Sequence, residues 1–204
     1  MPQRPSQNFL VSVKGTDLAG DIRKAWKEKK FRPTIAWIGV GFVSYGIYAV
    51  PFVHYENGPG GQLILPQGII GPNTTLEAAA WAMISDAFKF TLPPKAKKPT
   101  VTCVGYYDYR MPAGRQPEGF SQGKRYYFGI MDIDTLSIAE KDVALQKDPN
   151  PVQSLAPLIG LHQIRRALSF IPDEGKRWAC SDAVDIALQE RFDRDHVQKQ
   201  RHVA

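Results

Sequence analysis

The spacing of apolar residues divides the chain into helical and extended stretches. The clearest helix is predicted over 74–90, where apolar residues recur three and four positions apart. Thr74 and Glu77 at its start fit a capping box, in which the threonine accepts a backbone N–H and the glutamate reaches back. The same spacing predicts three further helices, at 17–30 with Thr16 or Asp17 as N-cap, at 161–170 and at 177–192.

Runs rich in β-branched and aromatic residues predict the strands, at 34–43, 45–55, 62–65, 100–109 and 124–132. Asn57-Gly58 is a hairpin signal between the second and third of them. Glycine, proline and polar residues predict loops at 66–73, 111–123 and 140–157. Because strands and helices do not alternate, the pattern favours an α+β domain with a mixed sheet over a doubly wound fold.

Length and composition are those of a globular domain. The chain has 204 residues, of which 43% are hydrophobic and 23% charged, so it can build a core. The longest apolar run, 35–53, is interrupted by glycines and Pro51, which excludes a membrane helix, and the first residues lack a signal-peptide core. Cys103 and Cys180 are interpreted as two buried thiols in a reducing cytosol, so a cytoplasmic location is expected.

A net charge of +6 permits a nucleic acid, a nucleotide phosphate or an acidic partner. Aromatic and basic residues concentrate on two predicted strands and the loop between them, where a cradle for bases and phosphates would include Arg110, Arg115, Lys124, Arg125 and Tyr126. The competing interpretation is a half-buried core with a solvated rim. Strand alternation places Tyr107 and Tyr109 on one face of the sheet and Tyr106 on the other.

The segment 63–88 resembles the box of the Nudix superfamily, in which a strand ending in Pro-x-Gly leads through a loop into a helix. Pro66-Gln67-Gly68 and the upstream stretch 31–35 are similar to the RNA pyrophosphohydrolase branch. The resemblance covers 31–192, leaving an N-terminal extension of residues 1–30 with a short helix and a charged tail, 193–204. It implies a Nudix-like α/β/α sandwich, and it places Arg32 near the substrate cleft.

The acidic residues of the box are mostly absent. With Gly68 as its first glycine, the family's loop glutamate falls on Thr74, and its arginine falls on Ala82. The two glutamates that hold Mg²⁺ one helical turn apart fall on Met83 and Ala87, and neither side chain supplies a hard oxygen ligand. Asp86 is the one acid of the run that remains, so it is the sole candidate catalytic or metal-binding residue in the box.

Three functions follow from this resemblance. The favoured one is a non-catalytic module that binds a nucleotide-type ligand, an RNA end or a protein partner, with no cofactor. The second is a divergent Mg²⁺-dependent nucleoside-diphosphate or RNA 5′-pyrophosphohydrolase that uses Asp86 and another acid. The third is a structural subunit whose basic surface docks onto a larger assembly.

Overall fold

The computed structural model describes residues 9–43, 47–55, 62–88, 100–132 and 153–203. Within these ranges, no helix has both the length and the apolar character needed to cross a membrane. The predicted hairpin signal Asn57-Gly58 lies outside the described residues. The helices and strands follow one another in the order α1 (Leu18–Glu28), β1 (Phe31–Val43), β2 (Ile47–Tyr55), β3 (Gln62–Ile64), β4 (Gln67–Ile69), α2 (Leu76–Phe88), β5 (Thr102–Arg110), β6 (Gly123–Asp132), β7 (Gln153–Gly160), α3 (Leu161–Ser169) and α4 (Glu174–Val203).

The long strand β1 organises a mixed sheet with the order β3-β2-β1-β6-β5. It pairs in parallel with β6 from Phe31 opposite Gly123 to Val40 opposite Asp132. The antiparallel pairings of β1 are with β4 near its start and with β2 at its end, and β7 pairs antiparallel with β2. The sequence prediction of an α+β domain with a mixed sheet is confirmed.

Helices cover both faces of this sheet. One core cluster joins α1 and α2 to side chains such as Ile35, Trp37 and Tyr127, and the other joins α3 and α4 to Ile38, Phe128 and their neighbours. The result is an α/β/α sandwich. Tyr107 and Tyr109 pack on the α3/α4 cluster, whereas Tyr106 packs on the α1/α2 cluster, as strand alternation predicts.

Two predicted loops contain strands. The stretch 66–73 includes β4, whose backbone pairs antiparallel with Thr34, Ile35 and Ala36 of β1. Just before β4, the carbonyl of Pro66 accepts a hydrogen bond from the N–H of Trp37 at 2.8 Å. The stretch 140–157 overlaps β7, whose partner strand β2 lies about a hundred residues earlier in the chain. In both cases the strand depends on a distant partner that local composition does not reveal.

The last helix is longer than predicted. Periodicity places its end at Phe192, but α4 continues to Val203. Its final turns make ion pairs with the sheet, since Arg194 donates to Asp132 at 2.9 Å and Arg191 also pairs with Asp132. Asp195 accepts from the Tyr48 hydroxyl. These contacts hold a charged segment in helical form that would be unstable in isolation.

The N-terminal ends of α1 and α2 differ in how well the sequence predicts their capping residues. Asp17 caps α1 as expected and accepts from the N–H of Gly20 at 3.0 Å. The predicted capping box of Thr74 and Glu77 is wrong by one residue, because Thr75 Oγ1 accepts the N–H of Ala78 at 3.1 Å. Glu77 is therefore an exposed residue of the first turn of α2.

A pair of alanine substitutions tests this cap. We expect Thr75→Ala to lower the free energy of unfolding by about 1 kcal/mol, the usual loss for a threonine N-cap. Thr74→Ala is the matched control and is expected to cost less than half as much. Chemical denaturation of the two variants makes the comparison, and an equal or larger effect at Thr74 would restore the box predicted from sequence.

Candidate functional site

The position at which the sequence resemblance places a metal-binding glutamate of the box lies in the core. Met83 of α2 is 9% exposed and belongs to the α1/α2 cluster. A methyl group built on Gly68 would lie 3.1 Å from Met83 Cβ and 3.5 Å from Ile35 Cγ2, so the thioether fills the space above that glycine. This arrangement offers Mg²⁺ no oxygen ligand at Met83.

The other box positions add no metal ligand among the described side chains. Thr74 and Ala82 are exposed, and the side chain of Asp86, the predicted remnant acid, lies outside the described residues. In the part of the chain that the structure describes, no group of three or more histidine, cysteine, aspartate or glutamate side chains could hold a metal ion. The described residues therefore do not fit the magnesium cluster that the fold family implies.

Three cations converge on the face of the sheet that α3 and α4 cover, opposite to the face on which Met83 packs. Arg32 of β1 and Lys124 of β6 are register partners in the parallel pair. Lys176, in the first turn of α4, donates from Nζ to the Tyr126 hydroxyl at 3.3 Å and lies 4.6 Å from the centre of the Tyr126 ring. Lys124 Nζ lies 6.0 Å from the same centre. We call Arg32, Lys124 and Lys176 the cation cluster.

The electrostatics of the cation cluster show that its members repel one another. Partial burial, followed by the charges of Arg32 and Lys176, together lower the pKa of Lys124 to about 8. Arg32 Nε is buried without a hydrogen-bond partner among the described residues. A buried donor left unpaired costs about 1–3 kcal/mol, so an anion that accepts from Arg32 would recover that cost and relieve the repulsion.

Tyr126 forms the floor of this site and Tyr109 its side. Burial raises the pKa of the Tyr126 hydroxyl, which is therefore a neutral phenol at physiological pH. The Tyr109 ring lies 6.3 Å from that of Tyr126 and 5.2 Å from Lys176 Nζ. A cavity of about 10 Å³ lies beneath, next to Lys176 and Cys180, and holds no more than a water molecule. A ligand must therefore bind at the mouth of the site.

The structure separates the basic residues that the sequence grouped together. It brings Arg32, Lys124 and Tyr126 into one site. Arg125 faces the other side of the sheet, where it binds Asp108 with two hydrogen bonds of 2.7 and 2.8 Å. Arg110 and Arg115 are exposed, and no described contact joins them to the cation cluster.

The Arg125 site is a closed network. Asp21 of α1 lies 3.4 Å from Arg125 and accepts from the Tyr127 hydroxyl at 2.7 Å, and the guanidinium carbon of Arg125 lies 4.3 Å from the centre of the Tyr106 ring. Its charge is matched by two carboxylates, and each of its three nitrogens donates to one of them. This arginine joins α1 to β5 and β6.

Lys176 is a site residue that the sequence pattern does not predict. Periodicity began the last helix at Arg177, one residue beyond this lysine, and nothing local connects Lys176 to Tyr126, 50 residues earlier. The thiols also need a correction, because Cys180 is buried but Cys103 is only partly so. Burial raises the pKa of Cys103 to about 11 and that of Cys180 to about 12, so neither is a reactive thiolate at neutral pH.

The arrangement of β1, β4, α2 and the two helical layers is that of the Nudix fold. The structure superposes on a protein described as a NUDIX hydrolase from Listeria monocytogenes with a TM-score of 0.52 and 9% identity, over 79% of this chain and 94% of that one. The α/β/α sandwich expected from the resemblance is confirmed.

Two other solved structures of this kind superpose with lower TM-scores. The NUDIX domain of Shewanella oneidensis NrtR, complexed with ADP ribose, covers 80% of this chain and 90% of that one, with a TM-score of 0.46 and 15% identity. The Escherichia coli dihydroneopterin triphosphate pyrophosphohydrolase covers 78% and 100%, with a TM-score of 0.46 and 11% identity. No family model matches the sequence, and no curated protein matches it.

Proposed function

We propose that this Nudix-fold protein binds the phosphate of a nucleotide-type ligand at the cation cluster, without a metal and without hydrolysing it. The observation that carries the proposal is the convergence of Arg32, Lys124 and Lys176 over Tyr126, with a buried donor of Arg32 unpaired. Guanidinium and ammonium groups are the side chains that proteins use to bind phosphate directly.

The state of helix α2 supports the part of the proposal that excludes hydrolysis. Metal-assisted attack on a diphosphate needs oxygen ligands that place the ion against the phosphate. Met83 supplies a buried thioether where such a ligand would stand, and it is packed against Gly68 and Ile35. With the metal site closed in this way, charge on the phosphate is neutralised by the three cations alone.

A nucleotide-type ligand suits the rim of the site better than a free anion. Tyr109 is half-buried beside the cation cluster, and the face of an aromatic ring binds a nucleobase by stacking. The water-sized cavity below the mouth excludes a buried base. In the proposed complex the phosphate contacts the three cations, and the base lies at the rim against Tyr109.

Isothermal titration calorimetry with adenosine 5′-monophosphate and with ADP-ribose, in buffer free of divalent metal, tests this proposal. We expect binding in both cases, weakened about tenfold by each of Arg32→Gln, Lys124→Gln and Lys176→Gln, since a hydrogen bond to a charged group is worth about 1.5 kcal/mol or more. The control is Lys24→Gln, which removes the same charge from an exposed side chain of α1. Equal affinity for all four variants would contradict the proposal.

Affinity is also expected to depend on pH. Lys124, with a pKa of about 8, is charged below that pH and uncharged above it. The phosphate monoester stays dianionic above about pH 6, so its own titration does not interfere in this range. Between pH 7 and pH 10 we therefore expect affinity for adenosine 5′-monophosphate to fall about tenfold. Lys124→Arg, which keeps its charge throughout, should give a flat profile, and a parallel fall in this variant would assign the titration to another group.

A further inference from the structure

The amine of Lys124 has a chemical property that phosphate binding alone does not use. A lysine is a nucleophile when it is uncharged, and proteins produce that state by burying the amine or by placing it next to other cations. Lys124 meets both conditions. Its side chain is partly buried, Arg32 is its register partner on β1, and the Nζ atoms of Lys124 and Lys176 lie 6.0 and 4.6 Å from the centre of the same Tyr126 ring.

We propose that Lys124 is a reactive amine that forms an imine with phosphate-bearing aldehydes, whose phosphate is held by Arg32 and Lys176. This inference rests on the proposed function, because it uses the same cation cluster as the phosphate site. The chemical class of ligand is a small carbonyl compound with a phosphate at its other end.

The reaction is balanced without a metal or a redox partner. The lone pair of Lys124 Nζ attacks the carbonyl carbon, so that a C–N bond forms as the C=O π bond breaks. One of the two nitrogen protons then moves to the oxygen and gives a neutral carbinolamine. Loss of that hydroxyl, together with the remaining nitrogen proton, releases one water molecule and leaves the imine. The phosphate contributes orientation only, since it fixes the carbonyl near the amine.

The groups around Lys124 favour the uncharged state of its amine. Arg32 on β1 and Lys176 on α4 are cationic, and Tyr126 on β6 is a neutral phenol because burial raises its pKa. On β5, Tyr109 completes the site, and burial together with Asp173 raises the pKa of Tyr107 to about 12. Asp173 is engaged elsewhere, because it accepts the backbone N–H of Lys176 at 2.6 Å and the Tyr107 hydroxyl at 3.4 Å.

A substantial fraction of Lys124 amines is uncharged near neutral pH. A lysine with a pKa of about 8 is uncharged in about one molecule in four at pH 7.5. An ordinary surface lysine is uncharged in about one molecule in a thousand at that pH.

Reductive labelling of the full chain tests the inference. The protein is incubated with pyridoxal 5′-phosphate at pH 7.5, reduced with borohydride and digested, and the modified lysines are identified by mass spectrometry. We expect Lys124 to be labelled at least about tenfold faster than Lys24, an exposed lysine of α1. Inorganic phosphate should protect it, and pyridoxal without the phosphate should label it poorly. In Arg32→Gln, labelling at Lys124 should slow.

The outcomes separate this inference from the function on which it rests. If inorganic phosphate binds in calorimetry but labelling follows surface exposure or falls on Lys176, the inference is overturned and the phosphate site stands. If pyridoxal labels Lys124 as fast as the phosphorylated aldehyde, the phosphate-directed part is overturned. If phosphate neither binds nor protects, the proposed function fails as well. Circular dichroism of Lys124→Arg confirms that its loss of labelling is not a loss of fold.

Discussion

Met83→Glu is expected to destabilise the protein and to restore no magnesium-dependent hydrolysis. The substitution introduces the glutamate that the sequence resemblance expects at this position, but the position is 9% exposed and packed against Gly68 and Ile35. Burial raises the pKa of a carboxyl group by about 3 units or more, and each unit corresponds to about 1.4 kcal/mol. We therefore expect the free energy of unfolding at pH 7 to fall by about 4 kcal/mol.

Two control variants separate burial from chemistry. Met83→Leu keeps an apolar side chain of similar volume and should cost less than about 1.5 kcal/mol. Ala82→Glu adds the same carboxylate one residue earlier on the exposed side of α2, where it should change stability by no more than about 0.5 kcal/mol. Denaturant titration compares the three. A stable Met83→Glu variant that cleaves a dinucleoside polyphosphate with Mg²⁺ would show that the box helix can still present a metal site.

Arg125→Met is expected to have the second largest effect, again on stability and not on binding. The guanidinium is bound to both oxygens of Asp108 and lies 3.4 Å from Asp21. Its removal leaves the two partly buried carboxylates of Asp21 and Asp108 without this cation, a loss of about 3 kcal/mol. For a chain of this length that corresponds to a fall in melting temperature of about 9 °C.

Arg110→Met is the matched control, because Arg110 is exposed on the neighbouring strand β5 and should tolerate the change. Thermal unfolding and calorimetry with adenosine 5′-monophosphate are measured on both variants. If Arg125→Met kept its melting temperature but lost affinity, Arg125 would be a ligand residue, as the sequence grouping proposed, and the network with Asp21 and Asp108 would have no structural role.

The fold could be predicted from sequence where the signal is local. The alternation of β1, β5 and β6 and the periodicity of α2 depend on neighbouring residues, and those elements stand within a few residues of their predicted positions. The strands β4 and β7 could not be predicted in this way, because their hydrogen-bond partners are supplied by β1 and β2 from elsewhere in the chain. The same holds for the end of α4, which is stabilised by Asp132.

The residues of the site also divide into those that local sequence predicts and those that depend on distant contacts. Lys124 and Arg125 are adjacent on a strand, so alternation alone sends their side chains to opposite faces, and a strict use of that rule would have removed Arg125 from the ligand residues. Arg32 was a candidate because of the family resemblance. Its parallel register with Lys124 explains why the two residues lie together. Lys176 reaches the site from a helix that packs over the sheet, and no spacing in the sequence predicts that contact.

Whether the protein binds nucleotides without cleaving them is best measured by following binding and product formation on the same samples. ADP-ribose, a dinucleoside polyphosphate and a short 5′-triphosphate RNA are each titrated calorimetrically, without and with Mg²⁺, and the mixtures are then analysed for cleavage. We expect binding that does not require Mg²⁺, is weakened by Lys176→Gln and yields no product. Magnesium-dependent cleavage that disappears in Asp86→Ala would contradict it, because the acid remaining in the box would then be catalytic.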